Sequence, residues 1–347
     1  MSKRATSPSP DTAVPADQPA TVLTDKELIE AFRWMLLSRA VDEKAFNLQR
    51  QGRLGTYAPC AGQEAAIVGM AMALRPGHDW VVPQYRELVV QLRQGWPLRD
   101  AFLFWGGHPD GWCPPPRILP VAIALASQLP HAVGLAWGLR HQGSDAVVAA
   151  FCGEGASSEG DFHEALNFAG VLKAPMVLLL QDNQWAISTP RSMQSAAERL
   201  ADRAAGYGIA GASVDGNDFF AVHAAAAEAV ARARAGEGPT LLEARTYRLH
   251  PHNTVDDPTR YIDPEELAVA EEREPIGRLR RQLQERGLLT EEDEASIDVD
   301  VRQTIDAAVV EAQSHPAPDP GAIFEHVYET DTPRLAAQRV AAAEGRA

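Results

Sequence analysis

The chain has 347 residues, 45% of them apolar, which is enough to bury the core of one large domain or two small ones. Its formal net charge is −15 and it has no long basic stretch, which argues against DNA, RNA or an anionic membrane surface as a partner. Its three cysteines lack metal-ligand spacing, and it has neither a secretion-signal pattern nor an apolar run long enough to cross a membrane, so we expect a cytoplasmic protein.

The N-terminal region changes character at Thr24. Residues 1–23 are rich in Pro, Ser, Ala and Asp, and this composition predicts a disordered tail. Thr24 and Glu27 have capping-box spacing, and apolar residues then recur at helical intervals in an amphipathic helix that Gly52 ends. Residues 65–74 predict a second helix, buried on most sides.

Four short apolar runs predict buried strands, and helical patterns alternate with them. The predicted strands cover residues 80–83, 146–151, 176–181 and 240–245. This alternation favours an α/β fold with a mostly parallel sheet flanked by helices. Residues after Asp263 are charged and helical in pattern, so the expected organisation is one domain over residues 24–330 and a polar tail over residues 331–347.

The stretch FCGEGASSEGDF, at residues 151–162, follows one predicted strand. A helix is predicted from about residue 161 to residue 173, and Pro175 introduces the next strand, which completes a βαβ unit. Such units tend to set their two strands side by side, with both carboxyl ends at one edge of the sheet. Glu154 and Asn183, which follow the two strands, are therefore expected to converge.

A loop of this kind can hold an anion and a metal. Its glycines let the backbone approach a ligand, and free N–H groups at the start of the next helix favour a diphosphate. A carboxylate, an amide oxygen and a backbone carbonyl beside phosphate oxygens form the all-oxygen ligand set that Mg²⁺ prefers. The loop matches neither of the common phosphate-binding motifs, however, and a G-x-G after a strand is usually only a turn when nothing else supports it.

Several motifs in a fixed order resemble one enzyme family over roughly residues 25–325. The sequence GEG is followed by QDN at residues 181–183. The other matching segments are QGRLGTYAPCAGQEAA (51–66), PQYREL (83–88), SEGDFHEALNFAGVLKAP (158–175), NQWAISTP (183–190), VDGNDFFAV (214–222) and RLHPHNTVDDPTRY (248–261). Together they resemble the alpha subunits of thiamine-diphosphate-dependent 2-oxo acid dehydrogenases, which implies a thiamine-diphosphate-binding fold.

The resemblance implies roles for individual residues. The carboxylate of Glu154, the side chain of Asn183 and the carbonyl of Trp185 resemble the family's magnesium ligands. His252 resembles its active-site histidine, and the backbone near Ile123 and Leu125 resembles the segment that holds the aminopyrimidine ring. The residues implied to bind the cofactor are Gln84, Tyr85, Arg86, Ile123, Leu125, Gly153, Glu154, Gly155, Ala156, Asn183 and His252.

Some of these residues also have plainer interpretations. An Arg followed by Glu, as at Arg86, is often one half of a surface ion pair, and most loop histidines are solvent-exposed, which is the alternative for His252. Glu64 is either a satisfied carboxylate at a helix start or part of the family's active-site polar network. His131 and His163 are predicted to be helix residues without a role in the site.

Four positions depart from the family. Asp182 stands where the family commonly has Asn, which adds negative charge beside the proposed metal, and Gln181 stands where some relatives carry Arg. Asn253 replaces a hydroxyl residue after the histidine, so the phosphorylation switch of mitochondrial relatives is not expected. Thr56 replaces a bulky aromatic residue, and if it lines the acyl pocket, larger side chains would fit there.

The resemblance implies an oxidoreductase that oxidatively decarboxylates a 2-oxo acid, either pyruvate or a branched-chain 2-oxo acid, and transfers the acyl group to a lipoyl carrier. The implied cofactors are thiamine diphosphate and Mg²⁺. The implied partners are a beta subunit, in an α₂β₂ heterotetramer that supplies the pyrimidine side of the site, and the lipoyl acyltransferase of the complex. A non-catalytic paralogue whose altered QDN no longer holds the cofactor is the alternative.

Two apolar helical segments allow two interpretations. AAIVGMAMAL, at residues 65–74, and QLPHAVGLAWGL, at residues 128–139, are too apolar for helices with one solvated face. Each is either a core helix or part of a large subunit interface.

Overall fold

The computed structural model describes residues 23–345. Its helices are α1 Asp25–Arg50, α2 Glu64–Ala73, α3 Leu88–Arg93, α4 Leu98–Trp105, α5 Gln128–His141, α6 Gly160–Leu172, α7 Phe219–Arg234, α8 Pro264–Glu271, α9 Pro275–Glu285, α10 Glu291–Ser314 and α11 Pro333–Ala343. Its strands are β1 Trp80–Val82, β2 Val148–Gly153, β3 Met176–Asp182, β4 Trp185–Ala186, β5 Thr189–Pro190, β6 Ala210–Asp215 and β7 Thr240–Arg245.

Five of the strands form a parallel sheet in the order β1-β2-β3-β7-β6. The four strands predicted from apolar runs are all present, and the α/β fold with a parallel sheet is confirmed. The edge strand β6 was not predicted. Its sequence, AGASVD, has no continuous apolar run because the strand is mostly half-buried at the edge of the sheet.

The first helix begins and ends where its local chemistry dictates. Thr24 and Glu27 form the predicted capping box, in which each side chain accepts a hydrogen bond from the other residue's backbone N–H. The helix ends two residues before Gly52, whose φ of 68° lies in the left-handed region that favours glycine. The capping prediction is therefore confirmed.

The sheet separates two apolar cores because side chains alternate along each strand. Ala149 and Phe151 of β2 pack with α1, α2 and α7 on one face, whereas Val148 and Cys152 pack with α5 and α6 on the other. The same alternation in β3 sends its last two residues, Gln181 and Asp182, to opposite faces.

The C-terminal helices lie outside the sheet. Helix α10 packs against α1 and α4 in a third apolar cluster, whereas α11, within the segment predicted as a polar tail, has no buried residue. Residues 1–22 of the predicted N-terminal tail, and residues 346–347, lie outside the described residues. Among residues 23–345, no helix combines the length and the apolar character that crossing a membrane requires.

The two apolar helical segments have different environments. Residues 64–72 of α2 are all buried, so α2 is a core helix. Helix α5 has a buried side and an exposed side, on which Trp137 is 51% exposed. The neighbouring helix α6 exposes Phe168 and Val171. This outer surface of α5 and α6 has the apolar character of an interface, and none of residues 23–345 covers it.

Candidate active site

A cavity of about 270 Å³ opens at the carboxyl ends of β1, β2 and β3, where polar segments follow each strand. The loop after β7 reaches the same cavity with His252. Ligands in parallel α/β sheets bind at this edge. All of the predicted site residues line this cavity, namely Gln84, Tyr85, Arg86, Ile123, Leu125, Gly153, Glu154, Gly155, Ala156, Asn183, Trp185 and His252.

Glu154 stands directly after β2, at the start of a short 3₁₀ helix, Glu154–Ser158. Its Oε2 accepts a 3.3 Å hydrogen bond from the backbone N–H of Asn183, so the expected convergence of the two strand ends is present. Its other oxygen, Oε1, is buried and has no hydrogen-bond partner among the described residues. A bare buried carboxylate oxygen is costly unless a ligand completes it.

The charge state of Glu154 is sensitive to its surroundings. Burial, together with the nearby charge of Asp182, raises the pKa of Glu154 to about 7. Asp182 is itself paired with Arg191, whose Nε lies 3.2 Å from its Oδ2. The charge that this departure from the family introduces therefore has a partner in Arg191, although it still raises the pKa of Glu154.

Asn183 is held from both ends of its amide. Its Nδ2 donates a 3.0 Å hydrogen bond to Oε1 of Gln63, and its Oδ1 accepts a 3.2 Å hydrogen bond from the N–H of Trp185. These bonds fix the amide with its oxygen on the side of Trp185. The carbonyl oxygen of Trp185 accepts a 3.1 Å hydrogen bond from Nη1 of Arg248, which leaves it one lone pair.

The backbone around these ligand atoms is tightly turned. Gln184 and Ile187 have φ angles of 74° and 56°, in the left-handed region that non-glycine residues seldom adopt. Gly155 has a different requirement, because a Cβ there would lie 2.7 Å from Cβ of Ala186. The second glycine of GEG therefore allows the short helix to pack against β4.

The start of α6, expected to face an anion, does not line the cavity. The 3₁₀ helix Glu154–Ser158 lies between β2 and α6, and its first three residues line the cavity in place of the α6 terminus. The expectation about the helix start was therefore wrong in its position. The start of α6 lies further from the cavity because the 3₁₀ helix Glu154–Ser158 comes first, and the glycine spacing does not predict that helix.

Glu87 is a cavity residue that the sequence did not single out. It is fully buried, which raises its pKa, and it accepts hydrogen bonds from the backbone N–H groups of Gln84 and Arg86 at 2.9 and 3.1 Å. Its other oxygen accepts a 2.6 Å hydrogen bond from Nε2 of Gln181. Glu87 thus ties the segment after β1 to the end of β3.

Arg86 is not one half of a surface ion pair. It is 7% exposed, and its guanidinium donates to the carbonyl oxygens of Pro59 and His252. It also lies 5.3 Å from the ring centre of Tyr85. These contacts hold a cation at the cavity wall with its orientation fixed.

His252 is a neutral imidazole with a defined tautomer. Arg86 Nη2 lies 3.0 Å from its Nδ1 and Arg248 Nη1 lies 3.4 Å away. Arginine only donates hydrogen bonds, so Nδ1 accepts and the ring proton is on Nε2. Burial and the two guanidinium charges lower the pKa of His252 to about 3.

The loop that carries His252 is itself held in place. The backbone N–H of His252 donates a 2.7 Å hydrogen bond to Asp256, whose carboxylate also accepts from the hydroxyl of Tyr261. His252 is therefore not a free surface histidine. Its ring is held in place by protein contacts alone.

The mouth of the cavity is apolar and open. Ile123 is 58% exposed, and Leu125 and Ile187 are also exposed. Thr56, the position with the missing aromatic, is exposed and does not line the cavity. Its predicted effect on the acyl pocket has no support in the arrangement of this chain.

Glu64, for which two interpretations were open, is a paired carboxylate at the start of α2. Its Oε1 lies 2.6 Å from Nε of Arg39, and its Oε2 accepts a hydrogen bond from the N–H of Gly62. Glu64 does not line the cavity. Its neighbour Gln63 does line the cavity. The further cavity residues that sequence reasoning missed are Gln63, Glu87, Ala186 and Ile187, and all of them lie within the motifs that carried the resemblance.

Comparison with known proteins gives concordant results. The sequence pattern of the dehydrogenase E1 component family matches residues 32–321. The chain is 47% identical over 319 residues to the 3-methyl-2-oxobutanoate dehydrogenase subunit alpha of Mycobacterium tuberculosis, covering 89% of this chain and 86% of the relative. It is 42% identical over 319 residues to the pyruvate dehydrogenase E1 component subunit alpha of Staphylococcus epidermidis, covering 91% of this chain and 86% of the relative.

Proposed function

The chain belongs to the dehydrogenase E1 component family, and on that basis we propose that it is the alpha subunit of a 2-oxo acid dehydrogenase complex. It is the thiamine-diphosphate-dependent, decarboxylating component, and its reaction transfers the acyl group to a lipoyl carrier. The substrate is a 2-oxo acid, either pyruvate or a branched-chain 2-oxo acid. The observation that carries this proposal within the site is the bare carboxylate oxygen of Glu154 at the meeting point of two strand ends.

The residues present fit a hydrated divalent cation next to a diphosphate. Glu154 Oε1 lacks a partner, and Asn183 Oδ1 and the Trp185 carbonyl each retain acceptor capacity. All three are oxygen atoms, which suits Mg²⁺. These three groups would hold the ion.

The cavity wall also fits an anion. Arg86 lines the cavity with a guanidinium whose orientation is fixed by the carbonyl oxygens of Pro59 and His252. Arginine matches phosphate oxygens through a planar fork of donors. Gln84, Tyr85 and Arg86 follow β1 and would bind the diphosphate, with Gly153, Gly155 and Ala156 supplying backbone.

Thiamine diphosphate, when bound, supplies the carbanion chemistry that cleaves the bond beside a 2-oxo group. The chain's own contribution is orientation and proton placement. His252 holds a proton on Nε2 and remains neutral at physiological pH, so it can donate a hydrogen bond to an oxygen of the substrate as negative charge develops there. Arg86 and Arg248 keep the imidazole in that tautomer.

A beta subunit is expected to complete the site. The two carboxylates that line the cavity are both committed, Glu87 through its three hydrogen bonds and Glu154 to the proposed metal. The carboxylate that activates the pyrimidine ring would therefore come from the partner. The exposed apolar residues at the mouth, Ile123, Leu125 and Ile187, would be covered in an α₂β₂ heterotetramer.

The non-catalytic alternative rested on the altered QDN. Gln181 donates to Glu87, and Asp182 pairs with Arg191 on the opposite face of β3, so neither change displaces Glu154 or Asn183. The altered residues therefore give no support to a subunit that has lost its site.

The test is to purify the chain together with a candidate beta subunit from the same genome and to measure decarboxylation of pyruvate and of 3-methyl-2-oxobutanoate, with transfer to a lipoyl domain. We expect turnover of at least one substrate by the pair and none by either chain alone. Full turnover by the lone alpha chain would overturn the two-subunit proposal. A pair that assembles and binds no thiamine diphosphate would overturn the catalytic one.

A further inference from the structure

A second group of metal-ligating side chains lies outside the cavity. His108 and Asp110 belong to the turn after α4, where His108 caps the short helix Pro109–Trp112, and His315 directly follows α10. One ligand atom from each of the three residues lies within 4.8 Å of the other two. We propose that these residues form a binding site for a zinc-class divalent metal ion.

The distances suit one ion between the three side chains. His315 Nε2 lies 2.7 Å from Asp110 Oδ2, and His108 Nδ1 lies 4.0 Å from the same oxygen. Zinc bonds of about 2.0 to 2.2 Å place neighbouring tetrahedral ligands roughly 3.3 to 3.5 Å apart. These two separations bracket that value, and the third is at most 4.8 Å, so small side-chain shifts would bring the ligands into place.

The outer contacts of His108 are those of a metal ligand. Its Nε2 lies 3.0 Å from the carbonyl oxygen of Pro316, to which it donates, so Nδ1 carries the free lone pair. Metal-binding histidines usually donate their second ring N–H to such a carbonyl. In the absence of an ion, Nδ1 accepts a long 3.2 Å hydrogen bond from the N–H of Asp110, which an ion would displace.

Charge and access also favour an ion at this position. In the absence of an ion, Nε2 of His315 donates a 2.7 Å hydrogen bond to the Asp110 carboxylate, and an ion would take the place of that ring proton. The side chain of Asp110 is 63% exposed, whereas those of His108 and His315 are 14% and 25% exposed. An ion could enter from solvent past Asp110, and water would fill its fourth position.

The ligand types select the metal. Two imidazoles and one carboxylate suit zinc and its neighbours, whereas Mg²⁺ prefers oxygen ligands alone. This group therefore differs in chemistry from the all-oxygen set of Glu154, Asn183 and Trp185. The two sites would bind different ions.

A bound ion would link distant parts of the chain. Asp110 and His315 are 205 residues apart, and they lie where the end of α10 meets the turn after α4. Closing such a large loop through a metal stabilises the folded state, because the ion binds only when both segments are in place. The ion would thus hold the end of α10 against the turn after α4.

Zinc titration by calorimetry on untagged, chelator-treated full-length protein tests the proposal. We expect one zinc per chain that excess Mg²⁺ does not displace, and a raised melting temperature on zinc addition. His315→Ala and Asp110→Asn should each weaken this binding by at least about tenfold and remove the melting shift. His131→Ala, which changes an exposed histidine on α5, should bind as the parent does.

Glu154→Gln separates this site from the cavity. If the high-affinity zinc is retained in Glu154→Gln and lost in Asp110→Asn, the ion lies between His108, Asp110 and His315. If zinc binding is the same in the parent and in Asp110→Asn, or is lost in Glu154→Gln alone, the proposal is wrong. Asp110→Asn is nearly isosteric, so the result does not depend on His315→Ala folding.

Discussion

Two buried carboxyl groups, those of Asp42 and Glu154, show how the same burial can serve different ends. The pKa of each is raised to about 7, chiefly by burial. Both oxygens of Asp42 are used, by the hydroxyl of Tyr57 at 2.8 Å and by the N–H groups of Cys60 and Ala61 at 2.9 Å. Glu154, in contrast, leaves Oε1 without a partner.

The difference in hydrogen bonding separates a structural carboxyl group, Asp42, from one that is available to a ligand, Glu154. A buried polar group with all its hydrogen bonds made rigidifies the segment around it, whereas one that lacks a partner is stabilised when a ligand binds. Asp42 fixes residues 57–61, and this segment presents the Pro59 carbonyl to Arg86 and leads to Gln63, which holds Asn183. Satisfied groups around α1 therefore position the unsatisfied ones at the sheet edge.

The largest expected effect concerns the reacting centre. His252→Ala should lower turnover by about 10² to 10⁴, because it removes a proton donor at the cavity while the cofactor contacts remain. The measurement is steady-state acyl transfer by the assembled enzyme, with cofactor affinity measured in parallel. His250→Ala, two residues away and outside the cavity, is the control. Near-normal turnover in His252→Ala would assign His252 to loop structure.

The second expected effect is a loss of stability when Asp42, which fixes residues 57–61, is replaced. Asp42→Ala would leave the Tyr57 hydroxyl and the N–H groups of Cys60 and Ala61 without an acceptor, which should cost about 3 to 5 kcal/mol in the free energy of unfolding. Urea denaturation of the variant measures this cost. Asp298→Ala, at an exposed position on α10, should change it by less than about 1 kcal/mol. A similarly small loss in Asp42→Ala would contradict the assigned role.

The third expected effect is a pH dependence of cofactor affinity that Glu154 causes. Because burial raises the pKa of Glu154 to about 7, the carboxyl is protonated below that value and the metal must displace a proton. Mg²⁺-dependent affinity for thiamine diphosphate should therefore fall about tenfold for each pH unit below about 7 and level off above it. Glu154→Gln keeps the cofactor's own titration, so the difference between the two proteins isolates Glu154. Parallel pH profiles would remove Glu154 from the ligand set.

The same raised pKa has a consequence for stability. A carboxyl with a raised folded-state pKa stabilises the fold in its protonated form, and that contribution is lost as pH rises from about 4.5 to about 7. Unfolding measured without metal should thus show falling stability over this range. Added Mg²⁺ and cofactor should reduce the fall, because they bind the ionised form.

The sequence predicted the parts of the site that local order determines. Strands β2 and β3 are continuous apolar runs, so their ends could be located, and the meeting of Glu154 with Asn183 followed from the βαβ unit. Motif resemblance then identified most of the other cavity residues, but not Gln63, Glu87, Ala186 or Ile187. Their roles as ligands stay predictions until binding is measured.

Long-range contacts set the limit of that approach. The contact between Arg86 and His252 spans 166 residues, and no local pattern encodes it. Asp42 lies inside an amphipathic helix, where the sequence alone would place a single acidic residue on the solvated face. Glu87 reads as a surface partner of Arg86 until the fold buries it. Burial of a charge is decided by tertiary packing, which the sequence pattern does not show.

The central claim is that Glu154 holds a metal that anchors a diphosphate. Calorimetric titration of thiamine diphosphate into the assembled enzyme, with and without Mg²⁺, tests it most directly when the parent, Glu154→Gln and the exposed-site control Glu159→Gln are compared. We predict that Mg²⁺ strengthens binding in the parent and in the control, and that Glu154→Gln weakens the Mg²⁺-dependent affinity by roughly one to two decades. Equal Mg²⁺-dependent affinities in the parent and Glu154→Gln would contradict the account.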